Sequence, residues 1–323
     1  MIYNFPQETR FLITGGAGFI GSNIAKKLIN LGYYVRILDN FITGKKDNIE
    51  SLLKNKNFEL IKGDIRDLNT CLEASKDIDY IFHQAALNSV PRSIKNPLLV
   101  NEINVNGFLN ILKAALKNKI KRVIYASSSN VYGDSLKLPK IEGKEGNVLS
   151  PYGATKKINE LYAHIFFYIY HLPIIGLRYF NVYGPNQDPH SKYSAVIPIF
   201  ITKTLKNQPI TIYGDGKNSR DFTYVDDVVQ ANLKACLINN KYLGNVYNVA
   251  YGKQTTLKEL SKKIDKILNK NTKIIYAPKR KGDIPHSLAS IKKIKTELKY
   301  EPKFSIDQGL KKTISYYKKR TKN

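Results

Sequence analysis

A chain of 323 residues with 42% hydrophobic and 24% charged side chains can bury a sizeable core and fits one large or two modest globular domains. No run approaches the roughly 20 apolar residues that span a bilayer, Met1–Arg10 lacks a signal-peptide core, and Cys71 and Cys236 alone suggest neither a disulfide framework nor a metal site. The net charge of +26 comes from lysines scattered along the chain, a pattern that suits a solvated face and a phosphorylated small molecule better than nucleic acid or membrane insertion, so a cytoplasmic protein is expected.

Phe11-Leu12-Ile13 reads as a short buried strand that runs into Thr14-Gly15-Gly16-Ala17-Gly18-Phe19-Ile20-Gly21. Ile20, Ile24, Leu28 and Leu31 then recur at helical spacing, and Gly32 is a suitable stop. Val35–Leu38 makes a second strand that ends at Asp39. Strand, glycine loop, helix, strand and acid in this order form the context that a dinucleotide fingerprint requires. Small residues let the backbone approach a pyrophosphate, whose charge rests on the helix N-terminus. Gly15, Gly18, Phe19 and Ile20 are the candidate contacts there. Asp39, with Asn40 beside it, stands where an acid would hold ribose hydroxyls, and its charge favours NAD over NADP.

Phe58–Lys62 is a third strand, after which Asp64 and Ile65 would flank the adenine. Tyr80–His83 is a fourth, running into Gln84-Ala85-Ala86 beside the cofactor. His83 could be a catalytic base, although a packed structural role is the simpler reading. Further on, Tyr152 and Lys156 lie four residues apart on one helix face. An ammonium beside a phenol favours the phenolate, so the tyrosine pKa is predicted to fall below its usual value of about 10. Tyr152 is thereby a candidate general base. Strands and helical patterns alternate to about Leu177, as in a parallel α/β sheet.

The glycine loop, His83-Gln84-Ala85-Ala86, Ser127-Ser128-Ser129-Asn130-Val131-Tyr132-Gly133, Tyr152 with Lys156, Arg178-Tyr179-Phe180-Asn181-Val182-Tyr183-Gly184-Pro185, Gly214-Asp215-Gly216 and Arg220-Asp221-Phe222 follow one another in order. Together they resemble the extended short-chain dehydrogenase/reductase superfamily, and within it the nucleotide-sugar epimerases and dehydratases. The resemblance spans Arg10 to about Tyr317. It implies a Rossmann-type, doubly wound parallel sheet binding NAD over residues 1–183, with the chain returning to it at about 220–249. A smaller C-terminal region, mainly 184–323, would bind the nucleotide-sugar.

Residue roles follow from the resemblance by position. Tyr152 would be base and acid for the sugar 4-hydroxyl. Lys156 would lower its pKa and bond the nicotinamide ribose. Ser128 matches the catalytic Ser/Thr, with Ser127 and Ser129 adjoining it as alternatives. Ala85 and Ala86 would border the cofactor, and Asn181 would bond the substrate diphosphate. Arg220 and Arg280 are candidate phosphate ligands, since a guanidinium fork suits those oxygens, or else surface charges. Ser89, Arg92, Ser129, Val196 and Tyr213 are further substrate positions of the same kind.

Dehydratases of this group carry an Asp-Glu pair after the catalytic Ser/Thr, where this chain has Ser129 and Asn130; decarboxylating relatives carry a glutamate where Asn130 stands. Epimerisation is therefore expected, through a 4-keto sugar that turns over in the site while NAD stays bound. Ser287, four residues after Asp283, is small where a bulky Tyr accompanies restriction to unacetylated hexoses. The segments around Ser89–Ser93 and Tyr193–Pro198 resemble epimerases of bacterial surface-polysaccharide pathways that prefer N-acetylated sugars. The expected reaction interconverts UDP-N-acetylglucosamine and UDP-N-acetylgalactosamine, with uracil assigned by analogy. Alternatives are 4-epimerisation of UDP-N-acetylglucosaminuronate, with Arg92 as the cation near C6, or of UDP-glucose; a reductase that consumes cofactor; and a non-catalytic NAD-binding protein. A homodimer is expected through the helices near Leu98–Lys117 and Tyr152–Tyr170, with Leu161, Ile165, Phe166 and Ile169 on the shared face or else packed within one subunit.

Overall fold

A computed structural model describes residues 3–189, 195–279 and 284–320. In chain order the elements that matter here are β1 (Arg10–Thr14), α1 (Phe19–Asn30), β2 (Tyr34–Asp39), β3 (Phe58–Lys62), β4 (Tyr80–His83), α2 (Gly107–Lys117), β5 (Arg122–Ser128), α3 (Pro151–Tyr170), β6 (Ile174–Tyr179), α4 (Val225–Cys236), β7 (Val246–Val249) and α5 (Ile306–Arg320). Among the described residues, the strands β1 to β7 form one parallel sheet in the order β7-β6-β5-β4-β1-β2-β3.

The strands carry apolar side chains on both faces because both faces are covered. Phe11 and Ile13 of β1 pack with Ile24 and Leu28 of α1 and with Val228 of α4. Leu12, pointing the other way, packs with Phe108 and Ile111 of α2 on the opposite face. This is a doubly wound sheet with the period-2 alternation of its strands read by two different layers.

Strand order reverses between β1 and β4, and the crevice outside their carboxyl ends is where such sheets take ligands. The two turns that border it touch. A Cβ on Gly15 would lie 2.7 Å from the backbone nitrogen of Ala85, and Gly15 itself has φ +67. Only glycine meets both conditions without strain.

The chain leaves the sheet after β6, crosses to a separate cluster and returns. That cluster contains Ile197, Phe200, Ile210, Ile212, Leu260 and Leu310, and includes the short parallel pair Ile210–Tyr213 with Ile274–Ala277. The return is through α4 and then β7, which pairs with β6 from Val246 opposite Gly176 to Val249 opposite Tyr179.

Helix α3 begins cleanly because Ser150 caps it, accepting from Gly153 N at 3.1 Å, and Pro151 occupies the first turn. It ends at His171, which adopts the left-handed conformation at φ 54. Between β4 and α2 the residues Glu102–Asn106 widen to a π-helical turn. There Asn104 Oδ1 accepts from Leu87 N at 2.8 Å, and its Nδ2 donates to Thr155 Oγ1 at 3.1 Å, tying the loop after β4 to α3.

Candidate active site

A cleft of about 700 Å³ runs along the carboxyl ends of the strands. Its lining brings together Gly15, Gly18, Phe19 and Ile20, then Ile65, Ala85 and Ala86, and Ser128, Tyr152 and Lys156. Gly18 caps α1 without a side chain, so this helix N-terminus meets the cleft as bare backbone. A Cβ on Gly21 would lie 2.3 Å from Gly15 O, so the loop and the first helical turn are in direct contact. Such a cradle, lined by backbone and too close-set for a Cβ at Gly15 or Gly21, suits a pyrophosphate.

Asp39 ends β2 at the same cleft. Its Oδ2 accepts from Ala17 N at 2.9 Å and its Oδ1 from Phe41 N at 2.8 Å. Burial pushes its pKa upward, and these two backbone donors oppose that shift. Asn40 lines the cleft but spends its amide on Asp64, Nδ2 to Oδ2 at 2.8 Å. Asp64 also accepts from Arg66, which pulls its pKa down to about 2. With its carboxylate so engaged, Asp64 stands behind the lining rather than in it.

The three serines are separated by geometry. Ser127 also borders the cleft but spends its hydroxyl on Glu160, donating to Oε1 at 2.6 Å. Ser128 lines the cleft beside the Tyr152 phenol, whose ionisation its hydroxyl favours. Ser129 lines the cleft one residue on. Of the three, Ser128 is the one that reaches Tyr152.

Tyr152 and Lys156 are both buried on one face of α3, at 7% and 2% exposure. Tyr152 is fixed at its backbone, whose N–H donates to Ser93 Oγ at 3.0 Å. Lys156 Nζ donates to Ala126 O at 2.8 Å, and burial lowers its pKa to about 8 against the pull of Glu160. The expected fall in the Tyr152 pKa is not found: burial raises it, and the nearby Ser128 hydroxyl is the opposing influence. Spacing placed the lysine correctly, but desolvation of the phenol outweighs a neighbour whose own charge is weakened by the same burial. His83 is buried and neutral, its pKa driven down to about 3, with Nδ1 2.8 Å from Thr14 Oγ1 and its ring against Phe108. It is absent from the cleft lining, so the packed role is the one seen.

Among the substrate positions, Ser89, Arg92, Ser129 and Asn181 line the cleft. Ser89 caps the short helix Val90–Lys95 by accepting from Arg92 N at 3.2 Å. Asn181 holds φ 36 and donates to Asp221 O at 3.2 Å. Val196, Tyr213, Arg220 and Ser287 are outside this lining. Val196 opens the helix Val196–Leu205 just after Ala195, which does line the cleft, and Tyr213 ends the strand Ile210–Tyr213. Arg220 Nη1 donates to Ser219 O at 2.9 Å and Pro285 O at 3.1 Å, and Ser287 N donates to the same Ser219 O at 3.0 Å. Arg220 and Ser287 therefore share one corner. Arg280 and Asp283 lie outside the described residues.

Sequence reasoning missed the cleft's rim. Lys45 Nζ and Asp188 Oδ2 meet at 2.9 Å, and both line the cleft. Asn186, also in the lining, donates to Ser22 Oγ of α1 at 2.9 Å. These residues sit in irregular segments without periodicity; the only available signal was that residues 186–188 directly follow Tyr183-Gly184-Pro185. Among the described residues no cluster of His, Cys, Asp and Glu could hold a metal, and no helix is long and apolar enough to cross a membrane.

The profile of the NAD dependent epimerase/dehydratase family matches residues 11–250. A putative UDP-glucose 4-epimerase of Methanocaldococcus jannaschii is 40% identical, over 95% of this chain and 98% of that protein. A UDP-N-acetyl-alpha-D-glucosaminuronate decarboxylase of Bacillus cytotoxicus is 36% identical, over 96% and 98%. The solved UDP-N-acetylglucosamine 4-epimerase of Methanobrevibacter ruminantium M1, in complex with UDP-N-acetylmuramic acid, superposes with a TM-score of 0.93 at 39% identity, covering 97% of this chain and 99% of that one.

Proposed function

The chain belongs to the NAD dependent epimerase/dehydratase family, and from that membership we propose that it is a UDP-N-acetylglucosamine 4-epimerase. The observation that carries the reading is the convergence of Ser128, Tyr152 and Lys156 on a cleft whose neighbouring positions, Ser129 and Asn130, hold no carboxylate. Loss of water or of carbon dioxide calls for an acid or base beside the reacting carbon, and a serine and an amide supply neither at neutral pH. Ser129 and Asn130 therefore favour epimerisation over loss of water or carbon dioxide.

Bound NAD supplies the hydride acceptor and a positively charged ring. Gly15, Gly18, Phe19 and Ile20 would hold its pyrophosphate, and Asp39 would accept from its ribose hydroxyls. Tyr152, acting as a phenolate favoured by the Ser128 hydroxyl, takes the proton of the sugar 4-hydroxyl and becomes the neutral phenol. Lys156, cationic below about pH 8, supplies a positive charge on the same helix face. The keto-sugar then turns within the cleft so that its other face would meet the hydride returned by the cofactor, and its oxygen takes the proton back from Tyr152. No net oxidation results, so each residue ends as it began.

Arg92 in the cleft lining favours a second reading, in which the sugar carries a C6 carboxylate that its guanidinium would meet. Incubation of the purified protein with UDP-N-acetylglucosamine, its uronate and UDP-glucose, without added NAD, tests both. The expected product is UDP-N-acetylgalactosamine. Turnover of the uronate alone selects the second reading, while stoichiometric free NADH or a stable keto-sugar overturns epimerisation itself.

The same family reading extends to a homodimer. Leu98, Leu161, Tyr168 and Ile169 are exposed at 77%, 57%, 74% and 59%, an apolar face on and beside α3. Phe166, for which the sequence leaves both the shared face and packing within one subunit open, is buried in its own subunit. Light scattering of the intact protein, with Leu161→Glu as the disrupting variant, tests the assignment.

A further inference from the structure

Asn130 stands two residues past Ser128, in the short 3-10 turn Ser129–Tyr132, and directs two nitrogens at one oxygen. Its backbone N–H donates to Ser128 Oγ at 3.2 Å, and its side-chain Nδ2 donates to the same atom at 3.0 Å. A hydroxyl oxygen has two lone pairs and one proton. With both lone pairs engaged, Ser128 has only its proton left to give, and the Tyr152 phenol that shares the cleft lining with it is the group it would serve. The count depends on the amide orientation, with Nδ2 turned toward Ser128. Turned the other way, Asn130 would offer its carbonyl to the Ser128 proton and compete with the phenol for it.

Asn130 is also held rigidly against the helix that carries Tyr152. Its backbone oxygen accepts from Gly133 N at 3.2 Å, and a Cβ on Gly153 would approach that oxygen to 3.1 Å. The side chain lies in the cleft lining.

We propose that Asn130 is a positioning residue that fixes the direction of the hydrogen-bond relay, making Ser128 a one-way donor to Tyr152; this rests on reading Ser128 and Tyr152 as the proton-transfer pair. The relay opposes the burial that makes the phenol harder to ionise. A carboxylate at residue 130 would have nearly the same shape and the opposite polarity. It would draw the Ser128 proton to itself and leave the phenolate without its donor. The amide therefore does more than lack an acid or base: it sets the state of the neighbouring serine.

The test compares Asn130→Asp with Asn130→Ala, each in the native chain and in Ser128→Ala, all purified with their bound NAD. Asn130→Ala keeps the backbone donor and should lower kcat by about tenfold or less, the scale of one neutral hydrogen bond. Asn130→Asp should lower it by about 100-fold or more, as for a lost proton-transfer partner. KM should change little in both, since the relay acts on the reacting proton. The difference should vanish in Ser128→Ala. The Tyr152 ionisation, read as phenolate absorbance against a Tyr152→Phe reference, should move to higher pH in Asn130→Asp than in Asn130→Ala, with no dependence on turnover. Should Asn130→Asp fail to fold, the Tyr152 ionisation of Asn130→Ala against the native chain carries the test: a move to higher pH is expected, and no move overturns the relay.

Equal losses for Asp and Ala, or a gap that persists in Ser128→Ala, would overturn the positioning role while leaving the proton-transfer pair intact. Full activity of Ser128→Ala or Tyr152→Phe would overturn the pair, and the relay with it.

Discussion

Arg178 and Glu160 form a two-pronged ion pair beneath the cleft, with Nε to Oε1 at 2.8 Å and Nη2 to Oε2 at 2.7 Å. Both are buried, at 2% and 8% exposure, and Arg178 also bonds Glu145 and lies over the Tyr132 ring. Because Glu160 also accepts from Ser127, one carboxylate links α3, which carries Tyr152 and Lys156, to β5, which carries Ser128, and to β6. Removing one member of such a pair strands a buried charge, at a cost of about 3–5 kcal/mol. Glu160→Ala is expected to lose stability on that scale in urea denaturation. A loss below about 1 kcal/mol, typical of an exposed pair, would show that the network is not a structural bond.

Lys156 titrates at about 8 in the folded chain, below the usual 10.5. Proton transfer that relies on its ammonium should fall as pH rises through about 8. The folded state holds fewer protons than the unfolded one between these values, so the group's contribution to stability is present above 10.5 and is lost as pH falls through about 8. The alkaline limb of kcat against pH reads the first effect. Lys156→Arg, charged throughout, should shift that limb upward, and an unmoved limb would assign it to another group.

Gly21→Ala puts a methyl where only 2.3 Å separates it from Gly15 O, a backbone atom that cannot swing aside. The glycine loop must shift, and with it the cradle at the head of α1. Purified Gly21→Ala should carry little or no NAD, measured by nucleotide released on acid denaturation. Retention of a full equivalent would mean that the pyrophosphate is held elsewhere.

Ser287→Tyr adds bulk at the corner shared with Arg220. If this corner receives the acetamido group, kcat/KM for UDP-N-acetylglucosamine should fall by about tenfold or more while UDP-glucose is spared, since a filled pocket costs roughly 1–3 kcal/mol. Equal losses on both substrates would remove Ser287 from the sugar pocket.

The parts of this site that could be read from sequence are those whose geometry is local. The glycine loop announces itself because strand, turn and helix follow within a few residues, and Tyr152 and Lys156 because a helix fixes their spacing. The Tyr152 pKa could not be read that way, since burial depends on what β5 and the loop after β4 bring over it. The same holds for Asp64, whose carboxylate is taken up by Asn40 and Arg66, and for Phe166, which turned inward while Leu161 and Ile169 stayed out. Lys45 and Asp188 meet from segments far apart in the chain, without periodicity to mark either.

The late arrival of β7 bears on how the protein is made. On the ribosome β6 emerges well before Val246–Val249, the strand that pairs with its outer side. Until then Gly176 to Tyr179 offer a bare row of amide and carbonyl groups, the kind of edge on which chains aggregate. A fragment ending near residue 183 would contain the glycine loop and the Tyr152–Lys156 pair and still keep that edge open for good. Such a fragment should precipitate rather than serve as a minimal cofactor-binding unit, and co-translational chaperones would have their strongest claim on this protein in the interval before residue 249 appears.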